Sequence, residues 1–154
     1  MSSEPSGNTV LDTSVLIELA VDSPLSRGLR NEILEGRMRP LTGELNLMEL
    51  AYIICRKAGK ETSDRAVGLL RRASQFRILS PSPFLDAAAR LKCARRVSGV
   101  DCVTLAMGEA LSAPVLFARH ERELDLELKK RPLATPVLYL EDPTVKHNRP
   151  GVRD

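Results

Sequence analysis

Acidic residues stand at the points of this chain where α/β proteins usually place their functional side chains. Asp12 follows an apolar run at 9–11, and Glu121 follows another at 114–118. In open parallel sheets, functional groups collect beyond the carboxyl ends of the strands. Asp101 follows no clear strand, but it lies in the first turn of a predicted helix, where the helix dipole favours a negative charge.

Glu49 is a further candidate because its surroundings are apolar. A glutamate beside Leu47, Met48, Leu50 and Ala51 would cost free energy if it were buried without a partner. A buried ion pair would explain Glu49 as well as a functional role does, and a helix N-cap would explain Asp101. Taken singly, each of these carboxylates is more often structural than catalytic.

The carboxylates would form one functional site if the fold brings them together. Carboxylates at short range raise one another's pKa, and such a cluster is stable at neutral pH mainly when a cation shares it. Oxygen ligands favour Mg²⁺ or Mn²⁺. A metal ion held there can activate a water for attack on a phosphodiester and offset charge on the leaving oxygen. The acids therefore suggest a nuclease.

The elements that must position these acids alternate along the chain. The residue patterns predict strands at 9–11, 40–42, 76–79, 114–118 and 136–140, with the last at a sheet edge. They predict helices at 13–20, 24–36, 44–58, 84–97, 101–111 and 121–128, and one capped by Thr62 or Ser63 that extends to 73. Strands separated by helices need crossover connections, so we expect a three-layer α/β/α sandwich with a mainly parallel central sheet.

Length and composition are those of one globular domain. The chain has 154 residues, of which 43% are hydrophobic and 28% charged. We place the domain at 8–140 and expect the polar tails, 1–7 and 141–154, to be mobile. No apolar run approaches the ~20 residues of a membrane crossing, and the first residues lack the apolar core of a secretory signal. We expect a cytoplasmic protein.

The three cysteines, Cys55, Cys93 and Cys102, lie inside apolar segments without the paired spacings of a zinc site. We expect buried thiols.

The net charge of +3 permits nucleic-acid binding through a local patch. Basic residues cluster after the last core strand, where they would contact phosphates or form a solvated helix face: Arg119, Arg122, Lys129, Lys130 and Arg131. With three Phe, two Tyr and no Trp, few side chains can stack on bases.

Three acidic segments resemble the successive motifs of PIN domains, and the similarity extends over about 8–140. The segments are Val10-Leu11-Asp12-Thr13-Ser14, Asn46-Leu47-Met48-Glu49-Leu50 and Ser98-Gly99-Val100-Asp101. The chain is most similar to small stand-alone PIN proteins, the toxin subunits of VapBC toxin–antitoxin pairs. The resemblance implies a parallel sheet flanked by helices, Mg²⁺- or Mn²⁺-dependent endoribonuclease activity on RNA, a homodimer and a cognate antitoxin.

The resemblance also implies a role for each residue of the site. Asp12 and Asp101 would hold the metal directly, Glu49 would bind it or its water, and the hydroxyl of Thr13 or Ser14 would assist the first acid. Glu121 aligns with the family's fourth acid, usually an aspartate, and is one methylene longer. Arg119 stands where the family has a hydroxyl residue.

This departure leaves open a second class of function, a PIN-like RNA-binding or assembly module that has lost catalysis. His120 could replace a ligand or carry a proton, although we expect it to be solvated. Glu109 lies more than two helical turns from Asp101, and we leave it outside the site. A phosphatase using Asp12 as nucleophile is disfavoured, because Ser14 stands where its second aspartate is needed.

Overall fold

A computed structural model of the chain describes residues 7–142. Its five strands are β1 (Gly7–Leu11), β2 (Met38–Gly43), β3 (Arg77–Leu79), β4 (Val115–Phe117) and β5 (Val137–Tyr139). They form one sheet in the order β3-β2-β1-β4-β5, and every neighbouring pair is parallel. The predicted parallel sheet is confirmed, and β5 lies at an edge as expected.

Within the described residues, seven α-helices surround the sheet: α1 (Thr13–Ala20), α2 (Arg27–Leu34), α3 (Glu44–Ala58), α4 (Lys60–Arg72), α5 (Leu85–Ala94), α6 (Gly99–Leu111) and α7 (Arg122–Lys130). Short 3-10 turns at Pro24–Ser26 and Ser82–Phe84 precede α2 and α5. The helices predicted at 24–36 and 84–97 are present but shorter. Residues 24–26 form a 3-10 turn instead of the start of α2, and α5 ends at Ala94 because the backbone of Arg95 is extended, with a φ of −134° and a ψ of 147°.

Two hydrophobic cores lie on opposite faces of the sheet. Val10 and Val115 pack in one core with residues of α5 and α6, whereas their neighbours Leu11 and Leu116 pack in the other with residues of α1 and α3. Successive side chains of a strand point to opposite faces, so the central strands contribute to both cores. The three-layer α/β/α arrangement is confirmed.

The start of α4 differs from its prediction. Neither Thr62 nor Ser63 is the N-cap, because the helix begins at Lys60 directly after Gly59. Gly59 has a φ of 90°, a left-handed conformation that glycine adopts without strain and that allows α3 and α4 to follow each other closely. The buried Ser63 hydroxyl donates to the carbonyl of Ala51 at 2.7 Å and so joins the two helices.

Regular contacts extend slightly beyond the predicted domain limits of 8–140. Gly7 belongs to β1, and the amides of Glu141 and Asp142 donate to the carbonyls of Ala118 at 3.2 Å and Tyr139 at 3.1 Å. The rest of the two predicted tails lies outside the described residues. None of the helices within 7–142 is long and apolar enough to cross a bilayer.

The prediction of three buried thiols is wrong for two of them. Cys102 is buried on α6, but Cys55 on α3 and Cys93 on α5 are exposed. Both helices carry an apolar stripe that faces the sheet, and these two cysteines fall on the opposite side of it.

Helix α6, which carries Asp101, lies unusually close to the sheet at Gly108. A Cβ atom added to Gly108 would stand 2.3 Å from Cγ2 of Val115 and 3.0 Å from the carbonyl oxygen of Ala113. A glycine here costs helix propensity but allows the helix to approach β4. This contact fixes the height of α6 above the sheet and hence the position of Asp101.

We predict that Gly108→Ala lowers the free energy of unfolding by about 1–3 kcal/mol, because the added methyl group overpacks the contact with Val115. Gly68→Ala in α4 is the matched control. Its Cβ would meet only the end of the flexible Arg72 side chain, at 3.0 Å. The control should gain about 0.5–1 kcal/mol from helix propensity. Urea denaturation measures the free energy of unfolding of both variants. An equal increase for Gly108→Ala and Gly68→Ala would contradict the close packing of α6.

Candidate functional site

Asp12 stands at the carboxyl end of β1 and caps α1. Its backbone amide donates to the carbonyl of Leu116 at 2.9 Å, and its Oδ2 accepts hydrogen bonds from the Ser14 amide at 2.9 Å and the Ser14 hydroxyl at 2.7 Å. The residue is 6% exposed, and its Oδ1 is buried without a hydrogen-bond partner in the described residues. One oxygen is therefore fixed, and the other is desolvated with its lone pairs unused.

The two hydroxyl residues after Asp12 have different tasks. Ser14 donates to Asp12 and accepts from the amide of Ala118 at 3.0 Å, so it joins the acid to the end of β4. Thr13 instead donates to Oε1 of Glu49 at 2.6 Å. The sequence left open which hydroxyl assists the first acid. In the structure the Ser14 hydroxyl donates to Asp12, and the Thr13 hydroxyl donates to Glu49.

Asn46 is a positioning residue of the site that sequence analysis missed. Its side chain is 1% exposed, and its Nδ2 donates to the hydroxyls of Thr13 and Thr104, each at 3.1 Å. Its Oδ1 accepts from the amide of Gly43 at 3.2 Å. Asn46 thus connects α3 with α1 and α6 and orients the hydroxyl that binds Glu49. The available signal was a polar residue one turn before Glu49 in an apolar helix.

Asp101 lies in the first turn of α6 but is not its N-cap. Ser98 holds that position, with its hydroxyl accepting from the Asp101 amide at 3.1 Å. Burial raises the pKa of Asp101 to about 7, and the negative charge of Asp12 contributes next. Smaller contributions from Glu121 and Glu49 act in the same direction. The structural explanation of Asp101 as a cap is therefore wrong, and the residue faces the other acids.

The pKa values of the other two acids are raised as well. Burial raises the pKa of Asp12, and the hydrogen bonds from Ser14 offset part of that effect. Burial also raises the pKa of Glu49, with repulsion from Asp12 adding to it and the bond from Thr13 opposing it. Within 7–142 no cation forms an ion pair with Glu49, so the alternative of a buried ion pair is not observed.

The three acids fit a divalent cation, although they do not form a closed cage. No group of three His, Cys, Asp or Glu side chains in the described part of the chain is arranged to ligate an ion together. Mg²⁺ commonly takes one or two carboxylates and keeps several waters. The unpartnered Oδ1 of Asp12 and the repulsion between Asp12 and Asp101 are what such an ion would relieve. Glu49 would then contact the ion through a bound water molecule.

Glu121 contributes to the site through its charge alone. It precedes α7 as an exposed residue whose side chain makes no capping hydrogen bond, and its charge helps to raise the pKa of Asp101. Arg119, proposed to assist RNA binding, forms an ion pair with Glu18 of α1 at 2.5 Å. Arg119 therefore holds the loop after β4 against α1, and its charge is already engaged.

His120 is exposed, as expected, but its ring is also held by neighbouring side chains. Its ring lies between the carboxylates of Asp125, at 3.0 Å, and Asp142, at 2.8 Å, and stacks on Tyr139 with 3.7 Å between centroids. The bond to Asp142 is the main reason that the pKa of His120 is raised. These contacts hold the loop after β4 against the end of β5.

Glu109 is exposed and accepts a hydrogen bond from the Ala134 amide at 3.3 Å, outside the site.

The chain is similar in fold to several solved structures. DNA-bound VapBC from Salmonella typhimurium is 15% identical, with a TM-score of 0.65 over 86% of this chain and 98% of that one. A toxin–antitoxin complex from Klebsiella pneumoniae is 14% identical, with a TM-score of 0.59 over 87% and 98%. The sarcin–ricin loop cleaving toxin VapC20 from Mycobacterium tuberculosis is 16% identical, with a TM-score of 0.58 over 70% and 86%.

No curated protein matches the chain by sequence. The model of the PIN domain, however, matches residues 9–125. That range contains Asp12, Glu49, Asp101 and Glu121, and it covers more than half of the 154 residues. Together with the parallel sheet and the shared fold, this match shows that the chain belongs to the PIN domain family.

Proposed function

We propose that this chain is an endoribonuclease that uses Mg²⁺ or Mn²⁺ to hydrolyse RNA phosphodiester bonds with a metal-activated water. We further propose that it is the toxin of a toxin–antitoxin pair acting in the cytoplasm. Membership of the PIN domain family supports the first proposal. The fold shared with VapBC and with a toxin that cleaves the sarcin–ricin loop supports the second.

The observation that carries the proposal is the state of Asp12. Its carboxylate is buried with Oδ1 unpartnered, beside Asp101, a second carboxyl group of raised pKa. Leaving a buried acceptor unpaired costs about 1–3 kcal/mol, so a fold retains such a group mainly when something binds it. Asp12 and Asp101 would hold a divalent cation, whose charge would offset the repulsion between the two acids.

The residues around the acids prepare them for this task. Ser14 fixes Oδ2 of Asp12 and so leaves Oδ1 as a ligand, and Asp101 supplies the second carboxylate. Thr13, held by Asn46, keeps Glu49 oriented to accept a proton or a hydrogen bond from a bound water. When bound, the metal would lower the pKa of that water and offset charge on the phosphate.

The partners that follow are RNA, a cognate antitoxin and a second copy of the chain in a homodimer. An antitoxin segment that covers the acidic site would satisfy the carboxylates best with a guanidinium, which binds them in a bidentate manner. It would then compete with the metal and with RNA for the same groups. Co-expression with the product of a neighbouring reading frame tests this partner, since only a true antitoxin should co-purify and suppress cleavage.

A second function is favoured by one observation, the absence of three converging ligands in the described residues. A PIN-like RNA-binding or assembly module without catalysis would have this arrangement. Glu121 is exposed and Arg119 is paired with Glu18, which fits such a loss. Isothermal titration calorimetry with Mn²⁺ separates the two functions, since the module should bind no metal at the acids.

We predict that Asp12→Asn and Asp101→Asn each reduce Mn²⁺-dependent RNA cleavage by on the order of 100-fold or more, because each removes a charged ligand from the site. EDTA should abolish cleavage by the unaltered chain. The assay follows a labelled RNA on denaturing gels.

The matched control for the acid variants is Glu109→Gln, an exposed change on the same helix as Asp101. It removes one negative charge and retains an oxygen that can accept from the Ala134 amide. Cleavage should stay within about twofold of the unaltered chain. Activity that survives in Asp12→Asn and Asp101→Asn would show that the acids do not hold the reacting metal.

We predict that, without metal, the free energy of unfolding falls as the pH rises from about 4 to above about 7. The lower limit is the pKa of an aspartate in the unfolded chain, about 4, and the upper limit is the raised pKa of Asp101, about 7. The folded state binds more protons than the unfolded chain in this window, so ionisation destabilises it. Asp101→Asn should flatten the decrease, and Mn²⁺ should oppose it in the unaltered chain. Urea denaturation at several pH values measures this, and a flat profile for the unaltered chain would contradict repulsion between the acids.

A further inference from the structure

An open groove of about 1160 Å³ lies between α7 and the segment that joins α5 to α6. One wall is formed by residues 92–98 and the other by one side of α7, including Leu126 and Lys130. We call this feature the basic groove. It lies next to the acidic site and contains none of the residues assigned to that site.

The basic groove carries free positive charge. Lys92, Arg95, Arg96 and Lys130 line it, opposed by two carboxylates of α7, Glu123 and Glu127. Throughout the part of the chain that the structure describes, none of these four cations forms an ion pair. In contrast, Arg119 is engaged with Glu18. The groove therefore offers four cations without an ion pair in the described residues, whereas the charge of Arg119 on the loop after β4 is paired.

Two of the cations are already held in place. Lys92 donates to the carbonyl of Val97 at 2.7 Å, which bends the chain after α5. Arg95 donates to the carbonyl of Arg131 at 3.0 Å, which joins this wall to the end of α7. Because the two walls are connected, less conformational entropy is lost when a ligand binds between them. Arg96 and Lys130 are exposed and can turn toward a ligand.

The groove ends at the acidic site. Ser98 lines the groove and also caps α6, where its hydroxyl accepts from the amide of Asp101. A strand lying along the groove would pass beside the residue that begins the turn carrying Asp101. Such continuity suits a polymer of phosphates, because one phosphodiester can lie at the acids while its neighbours contact the cations.

We propose that the basic groove binds the phosphate backbone of the RNA strand that is cleaved at Asp12 and Asp101, with Arg96 and Lys130 contacting phosphates from opposite walls. This assignment rests on the proposed function, and it adds the path of the substrate. Contacts to phosphate give affinity without sequence selectivity, which suits a chain with few aromatic side chains.

The test measures binding of a fluorescent oligouridine to the Asp12→Asn chain in EDTA, so that no cleavage occurs. Arg96→Gln with Lys130→Gln should lower the slope of log K against log salt concentration by about 1.4, since each contact to single-stranded RNA contributes about 0.7. At about 0.1 M salt the affinity should fall roughly 10- to 30-fold. The control variant, Lys57→Gln with Arg71→Gln, removes the same charge from exposed positions of α3 and α4 and should change neither value.

The native thiols provide a second readout that needs no substitution in the groove. Cys93 is exposed and lines the groove, whereas Cys55 is exposed on α3 outside it. Bound oligouridine should slow the alkylation of Cys93 by a maleimide several-fold and leave that of Cys55 unchanged. Peptide mass spectrometry resolves the two sites in one sample.

The outcomes separate this proposal from the proposed function. An unchanged salt slope in the groove variant together with an unprotected Cys93 overturns the groove, even if the unaltered chain cleaves RNA. A reduced slope with protection of Cys93 supports the groove, even if no cleavage is found. If the chain binds no oligouridine at low salt, the groove assignment is overturned. RNA is then also not supported as the substrate of the proposed nuclease.

Discussion

The rest of this structure depends on the burial of the Asp12 carboxylate beside a second acid, Asp101. Burial raises the pKa of both acids, and the charge of Asp12 raises the pKa of Asp101 further, whereas hydrogen bonds from Ser14 oppose the rise at Asp12. One oxygen of Asp12 is satisfied by Ser14, and the other is not satisfied within the described residues. A cation shared by the two acids, as proposed above, would offset this cost.

The hydrogen bonds around the acids make the arrangement rigid. Asn46 is fully buried, and it orients Thr13, which in turn holds Glu49 at 2.6 Å. Ser14 connects Asp12 to the end of β4. The contact of Gly108 with Val115 sets the distance of α6, and thereby Asp101, from the sheet. Three helices and two strands therefore contribute to the position of each carboxylate, and sites held by such rigid elements keep their geometry during reaction.

Acidic and basic side chains occupy different places around the candidate site. Asp12 and Asp101 lie at the carboxyl end of β1 and in the first turn of α6, while the adjoining groove between residues 92–98 and α7 is lined by Lys92, Arg95, Arg96 and Lys130. Arg119, two residues before Glu121, is used to fix a loop through Glu18. His120 has a similar role at the end of β5. Proximity in sequence to an acid therefore does not show which basic side chains are free of an ion pair.

The sequence by itself determined the order of helices and strands and the parallel sheet, which follow from residue periodicity and from the crossover that parallel strands require. It also singled out Asp12, Glu49 and Asp101 as candidate acids, through their positions and the resemblance of their segments to the motifs of PIN domains. Tertiary structure alone decided the partners of each side chain, such as Thr13 with Glu49, Asn46 with Thr104 and Ser14 with Ala118, which are 36, 58 and 104 residues apart. It also decided the ion pair of Arg119 and the exposure of Cys93, because a side chain's partners depend on how distant elements pack, and no periodicity in the chain encodes that packing.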